Sequence, residues 1–243
     1  MSEPGAQLPA CTELLAAPPR FPRLERLAHR AVSRLYRARG LARYDDFRLE
    51  RVQGMRLMVI PSVFNPQLLR TGAYFAGCIA AQRLGAGADV LDMGTGSGVC
   101  ALMAARHARR VVAVDINPAA VRCAQANALM NNLQGRLEVR QGDLFAPVAG
   151  ERFDLVLFNP PFVPGSARND RERAWRSLDV AGRFAAGLAA HLNPGGQALV
   201  LLSSYGDATP FLAALDAAGC ELGLHQQRRF LGERIAIFRA VPR

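Results

Sequence analysis

Apolar positions recur along this chain with two different periods, and the alternation between them predicts an α/β architecture. Strands are placed at 90–93 (VLDM), 111–115 (VVAVD), 137–140 (LEVR), 153–158 (FDLVLF) and 198–203 (ALVLLS), with two more around 220–227 and 234–241, most of them short apolar runs. Helical stretches separate them, beginning with residues 67–84 after Pro61 and Pro66. Continuous apolar strands alternating with helices imply a parallel sheet covered on both faces. The expected fold is a doubly wound, seven-stranded sheet whose last pair of strands closes an antiparallel edge.

Ahead of the sheet the pattern changes twice. From Phe21 to Arg39, Leu24, Leu27, Ala28, Ala31 and Leu35 form one apolar stripe, while Arg23, Arg26, Arg30, Arg34 and Arg37 recur along another face; Gly40 stops this basic amphipathic helix. The segments FRLERV and MRLMVI, separated by Gln53-Gly54, read as a hairpin. Residues 1–21 are rich in Pro and Ala and read as a tail without chemistry. The expected division is a tail (1–21), an appendage of basic helix and β-hairpin (22–62) and an α/β domain (63–243).

With 243 residues, half of them hydrophobic, the chain has material for one such domain and a small addition. No apolar run approaches the ~20 residues of a membrane span, which excludes insertion by a helix. The net charge is +10 and every basic residue is Arg. Between Arg20 and Arg43 eight Arg stand against Glu25 alone, so most of the excess lies outside the expected sheet. That clustering reads either as a docking surface for an acidic macromolecule or as a solvated face. The five cysteines are scattered, with no C-x-x-C and no histidine at zinc spacing, so buried thiols in a reducing compartment are expected and a metal site is not. The start of the chain lacks the pattern of a signal peptide, and a cytoplasmic location is expected.

The chemistry concentrates in two turns. In VLDMGTGSG, Asp92, Gly94, Thr95, Gly96 and Gly98 follow a buried strand at the entry of a helix, where a ligand can approach backbone that carries no Cβ. Val99 breaks the dinucleotide spacing G-x-G-x-x-G, and a Walker loop is excluded by the absence of lysine. This D-x-G-x-G-x-G run resembles the first motif of the S-adenosylmethionine-dependent methyltransferases with the Rossmann-like fold. The resemblance implies S-adenosyl-L-methionine as cofactor. It places Asp115, at the end of the next strand, on the ribose hydroxyls and Ile116 beside the adenine. It also places Asp143 and Leu144 of QGDLF on the adenine amino group and a ring nitrogen.

The second turn, Asn159-Pro160-Pro161-Phe162, ends the strand FDLVLF. Two prolines remove two N–H donors and leave an acceptor-rich stub. The Asn159 side-chain oxygen and the Pro160 carbonyl suit the two hydrogens of a planar –NH₂ group, with Phe162 packed on its plane. Such acceptors favour the positive charge that develops as a methyl group arrives, so the chemistry needs orientation and no strong base. The set resembles the N-P-P-[YF] motif of methyltransferases that modify glutamine amides or adenine and guanine amino groups.

Over residues 47–240 the layout is most similar to the HemK/PrmC type, the release-factor glutamine methyltransferases. Pro66 and Thr71 look like the segment that precedes the first core helix there, which implies that Phe64 to Thr71, Thr71 included, cover the cofactor. The sequence departs from that family in its short N-terminal part, in the Pro66–Thr71 spacing and in AWRSLDVAGR (174–183), all on substrate-binding parts. A protein glutamine amide is therefore the first expectation for the methyl acceptor. The exocyclic amine of a nucleic-acid base and a small molecule stand as alternatives. The loop with Arg168, Arg171, Arg173, Trp175 and Arg176 reads equally as a substrate-binding lip or as a solvated helix start.

Overall fold

The computed structural model describes residues 46–160 except Leu69 and Arg83, and residues 179–243 except Tyr205, Leu231 and Gly232. The basic helix, Phe162 and the 166–176 loop lie outside the described residues.

The described chain begins with the hairpin β1 (Arg48–Val52) and β2 (Met55–Val59), turning at Gln53-Gly54 as the pattern predicts. Then follow α1 (Thr71–Ala81), β3 (Asp89–Met93), α2 (Val99–Ala105), β4 (Arg110–Asp115), α3 (Pro118–Met130) and β5 (Leu137–Gln141). The second half comprises β6 (Phe153–Phe158), α4 (Val180–Leu188), β7 (Leu192–Ser203), α5 (Thr209–Ala217), β8 (Cys220–Phe230) and β9 (Glu233–Pro242).

The seven strands β3–β9 form one sheet in the order β5-β4-β3-β6-β7-β9-β8. All pairings among β3–β7 are parallel, and β9 runs antiparallel between β7 and β8. This is the doubly wound sheet with an antiparallel edge. All five residues of β3 are buried, as a central strand covered on both faces requires. Residues of α1 and α2 pack with Val90, Leu157, Leu201 and Ile237 on one face; Phe184, Leu212 and Leu215 of α4 and α5 pack with Leu91, Val156, Val200 and Phe238 on the other. The hairpin shares the first of these cores through Val52, Met55 and Leu57.

Four elements differ in extent from the sequence pattern. The helix expected over 67–84 spans only Thr71–Ala81. Asn65 Oδ1 accepts from the Gln67 and Leu68 N–H groups and holds a turn there, and Arg70 at φ 59° cannot continue a right-handed helix. A Cβ at Gly72 would lie 2.8 Å from Pro66 Cβ, so the helix starts against that turn. The strand β7 begins six residues before the expected 198, because Leu192 already pairs with Phe153. Both C-terminal strands are also longer than the pattern shows, since their pairing continues to Phe230↔Glu233 through polar residues.

Candidate active site

The chain leaves β3 to one side of the sheet for β4 and β5, and to the other for β6 and β7. The carboxyl ends of β3 and β6 therefore flank the crevice where open α/β sheets bind ligands. The glycine turn follows β3, and Asn159-Pro160 follows β6. The fold thus brings the two turns singled out in the sequence to neighbouring strand ends.

In the glycine turn Gly94, Gly96 and Gly98 have φ values of 63°, 56° and 81°, a region that favours glycine. At Gly98, which begins α2, a Cβ would also lie 3.0 Å from Ala124 Cβ, so this residue sets how closely α2 meets α3. Asp92 works on the turn from beneath. Its Oδ2 accepts from Thr95 Oγ1 at 2.6 Å and from the Ala101 N–H at 3.0 Å, tying the turn to the first residues of α2. Burial pushes the Asp92 carboxyl up to about 7, and the Asp115 charge adds to the effect. Thr95, 6% exposed, serves this anchor through its hydroxyl.

Asp115 ends β4. Its Oδ2 accepts from the Gly96 N–H at 2.8 Å and its Oδ1 from the Asn117 N–H at 2.9 Å. Burial raises its pKa against the pull of these backbone hydrogen bonds. A carboxylate has about four acceptor positions, so both oxygens can still take a ribose hydroxyl hydrogen. Ile116 is 42% exposed, available as an apolar flank for an adenine. Leu144 follows Asp143 at φ 46°, in a turn where the Asp115 carbonyl accepts from the Gly142 N–H. Thr71, at the start of α1, is buried and its Oγ1 has no hydrogen-bond partner among the described residues.

Asn159 carries the most telling detail. Its Oδ1 is buried without a hydrogen-bond partner among the described residues, beside the buried Pro160. An orphaned buried acceptor costs about 1–3 kcal/mol, so this oxygen is set for hydrogens that a ligand brings. The set at the turn, one buried and one half-buried carboxylate with an exposed apolar side chain, fits a cationic nucleoside such as S-adenosylmethionine. The acceptor stub next to it fits a planar amino group.

Four residues without a motif in the sequence lie around the site. Arg183 of α4 donates from Nη1 to Asp143 Oδ2 at 2.5 Å and from Nε to Asp179 at 3.0 Å. That ion pair is half-exposed and ends on one of the two Asp143 oxygens. Asn117 caps α3 by accepting from the Ala119 N–H, and its Nδ2 donates to the Ser62 carbonyl. The Asn117-Pro118 pair was a legible signal of a helix start. Asn127 and Asn131, four residues apart on one face of α3, bind the hairpin. Only that spacing hinted at a shared role.

A doubly wound sheet with a glycine turn and an acceptor stub at its switch point defines the class of nucleoside-cofactor group-transfer folds. Within it, residues 55–216, about two thirds of the chain, match the methyltransferase small-domain model, and the chain belongs to that family. It is 34% identical over 182 residues to the ribosomal RNA small subunit methyltransferase C of Alcanivorax borkumensis, covering 74% of this chain and 50% of that one. It is 40% identical over 128 residues to the release factor glutamine methyltransferase of Cereibacter sphaeroides, covering 46% of each. The chain thus spans about half the length of these curated relatives. Among solved structures, the T. thermophilus 16S rRNA N2 G1207 methyltransferase, in complex with AdoMet and guanosine, superposes with a TM-score of 0.61 at 24% identity, over 82% of this chain and 50% of that one. That likeness supports the fold. Among the described residues no helix is long and apolar enough to cross a membrane.

Proposed function

We propose that this chain is an S-adenosylmethionine-dependent N-methyltransferase acting on a planar –NH₂ nitrogen of a macromolecule. The buried, unpartnered Asn159 Oδ1 beside Pro160 carries this reading. Bound S-adenosylmethionine supplies an electrophilic methyl group on a sulfonium sulfur. Asp115 holds the ribose, Ile116 flanks the adenine, and Asp143 with Leu144 reads its edge. Asn159 and Pro160 accept the two amino hydrogens and orient the nitrogen lone pair toward the methyl carbon. As the N–C bond forms and the C–S bond breaks, positive charge grows on the nitrogen, and these fixed acceptors stabilise it. The nitrogen then gives its surplus proton to water, and Phe162 covers the plane of the acceptor.

The acceptor of first choice is a glutamine side-chain amide in a protein, supported by the Pro66 to Thr71 layout and the 40% identity to a release factor glutamine methyltransferase. A second reading, the exocyclic amino group of adenine or guanine in RNA, is favoured by the larger span, 74% of the chain, aligned with a ribosomal RNA methyltransferase. On either reading the basic segment with Arg23, Arg26, Arg30, Arg34 and Arg37 docks the macromolecule. Incubation of cell extract with labelled cofactor tests the proposal, with transfer expected from wild type and lost in Asn159→Ala at unchanged cofactor affinity. Label that survives nuclease and yields to protease supports glutamine; the converse supports the base. Loss of cofactor binding in Asn159→Ala, or undiminished transfer, overturns the role of Asn159. Reversing Arg26, Arg30 and Arg34 to Glu should weaken transfer to the macromolecule alone, and unchanged kinetics would remove the docking role.

A further inference from the structure

We infer that Asn127 is a positioning residue that couples the β1–β2 hairpin to the glycine turn, so that cofactor binding and hairpin order reinforce each other. The inference rests on the reading that this turn holds S-adenosylmethionine.

The hairpin is a two-stranded sheet, which is marginal by itself. All five residues of β2 lie opposite residues of β1, and in an antiparallel strand alternate residues turn their N–H and C=O groups outward, here Arg56 and Met58. At this outer edge α3 substitutes for a third strand. Asn127 Oδ1 accepts from the Met58 N–H at 2.7 Å, and its Nδ2 donates to the Met58 carbonyl at 2.8 Å. One helical turn later Asn131 Oδ1 accepts from the Arg56 N–H at 3.2 Å, and its Nδ2 donates to the Arg56 carbonyl at 2.7 Å. The match is metric: four helical residues rise about 6 Å and two strand residues about 6.7 Å, so two side-chain amides on one helix face meet two alternate strand residues.

The two asparagines differ in one respect. Asn127 is fully buried, and its Nδ2 also donates to the carbonyl of Ser97 at 2.9 Å, inside the glycine turn between Gly96 and Gly98. Asn131 donates instead to the Asn127 carbonyl of its own helix. One amide group therefore joins the hairpin edge to the turn, and its neighbour grips the same edge without touching the turn. A second link of the same kind runs through Asn117, whose side chain holds the Ser62 carbonyl while its N–H holds the Asp115 carboxylate. The chain from Arg56 to Ser62, which leads to Thr71, is thus fastened at intervals to the two elements that contact the cofactor.

A coupling of this kind is reciprocal. The test compares Asn127→Asp, which keeps the acceptor for the Met58 N–H and loses the amide donor, with Asn131→Ala, which removes the parallel grip on Arg56. The measurements are S-adenosylmethionine affinity by calorimetry and amide hydrogen exchange with and without that ligand. In wild type the ligand is expected to slow exchange at residues 56–59. In Asn127→Asp the affinity should fall about tenfold and this protection should disappear; in Asn131→Ala affinity should stay within twofold, although exchange at 56 quickens. Wild-type affinity in Asn127→Asp, or an equal loss in Asn131→Ala, overturns the inference. Should Asn127→Asp fail to fold, the wild-type exchange experiment decides, since unchanged protection at 56–59 refutes the coupling. A wild-type chain that binds no S-adenosylmethionine would instead refute the cofactor reading.

Discussion

Replacing Asp92 by asparagine exposes what the floor of the glycine turn costs the fold. Both hydrogen bonds to Asp92 end on one oxygen, Oδ2, and the oxygen of an asparagine side chain can keep them. What changes is the charge. The folded carboxyl titrates at about 7, pushed there by burial and by Asp115, whereas an aspartate in an unfolded chain titrates near about 3.9. Because the folded state holds this proton more tightly, the stability it contributes is complete below about pH 4 and is lost as the pH rises through about 7. Three pH units at about 1.36 kcal/mol each make the loss about 4 kcal/mol. The amide of the variant carries no such charge, so Asp92→Asn should match wild type at pH 4 and exceed it by several kcal/mol at pH 8. Urea unfolding of both proteins across that range, without cofactor, checks this. At the same time the variant should bind S-adenosylmethionine more weakly, because a buried carboxylate favours a cationic ligand and an amide does not. A stability difference that stays constant from pH 4 to 8 would refute the reasoning.

Three further outcomes follow from the same structure. Gly98→Ala forces a side chain into a left-handed backbone, 3.0 Å from Ala124 Cβ; a loss of about 1–3 kcal/mol is expected, and an unchanged urea midpoint would contradict it. Glu233, whose carboxyl accepts from Ser203 Oγ at 2.6 Å, is pushed up to about 6 by burial. Its contribution is present below about pH 4 and lost as the pH passes 6, so Glu233→Gln should gain about 2 kcal/mol relative to wild type between pH 4 and 8 in the same assay. Arg183→Ala frees Asp143 Oδ2 from a half-exposed ion pair; cofactor affinity measured by calorimetry should rise twofold to fivefold, and a fall would show that Arg183 positions the carboxylate.

The strands of the central sheet were legible because burial on both faces writes itself as a short, mostly apolar run, as in VLDM and FDLVLF, each with a single Asp. The two turns were legible because their chemistry is local: three positive-φ glycines in five residues, and an Asn followed by two prolines. Boundaries set by contacts between distant segments were not. Residues 67–70 have helical composition but are held in a turn by Asn65, and the outer parts of β8 and β9 are polar residues kept in the sheet by each other.

The layers, the order of the elements and the residues at the ends of β3, β4 and β6 are written in the local pattern of the chain, since periodicity and turn chemistry act over a few residues. Which groups act together emerges only on folding. Asn127 meets Met58 across 69 positions of chain and Ser97 across 30, and Arg183 meets Asp143 across 40. The raised pKa of Asp92 depends on everything packed around it. Hydrogen bonds and dielectric environment are fixed by distances in space, and a pattern of side chains along the chain carries no measure of those until the sheet has folded.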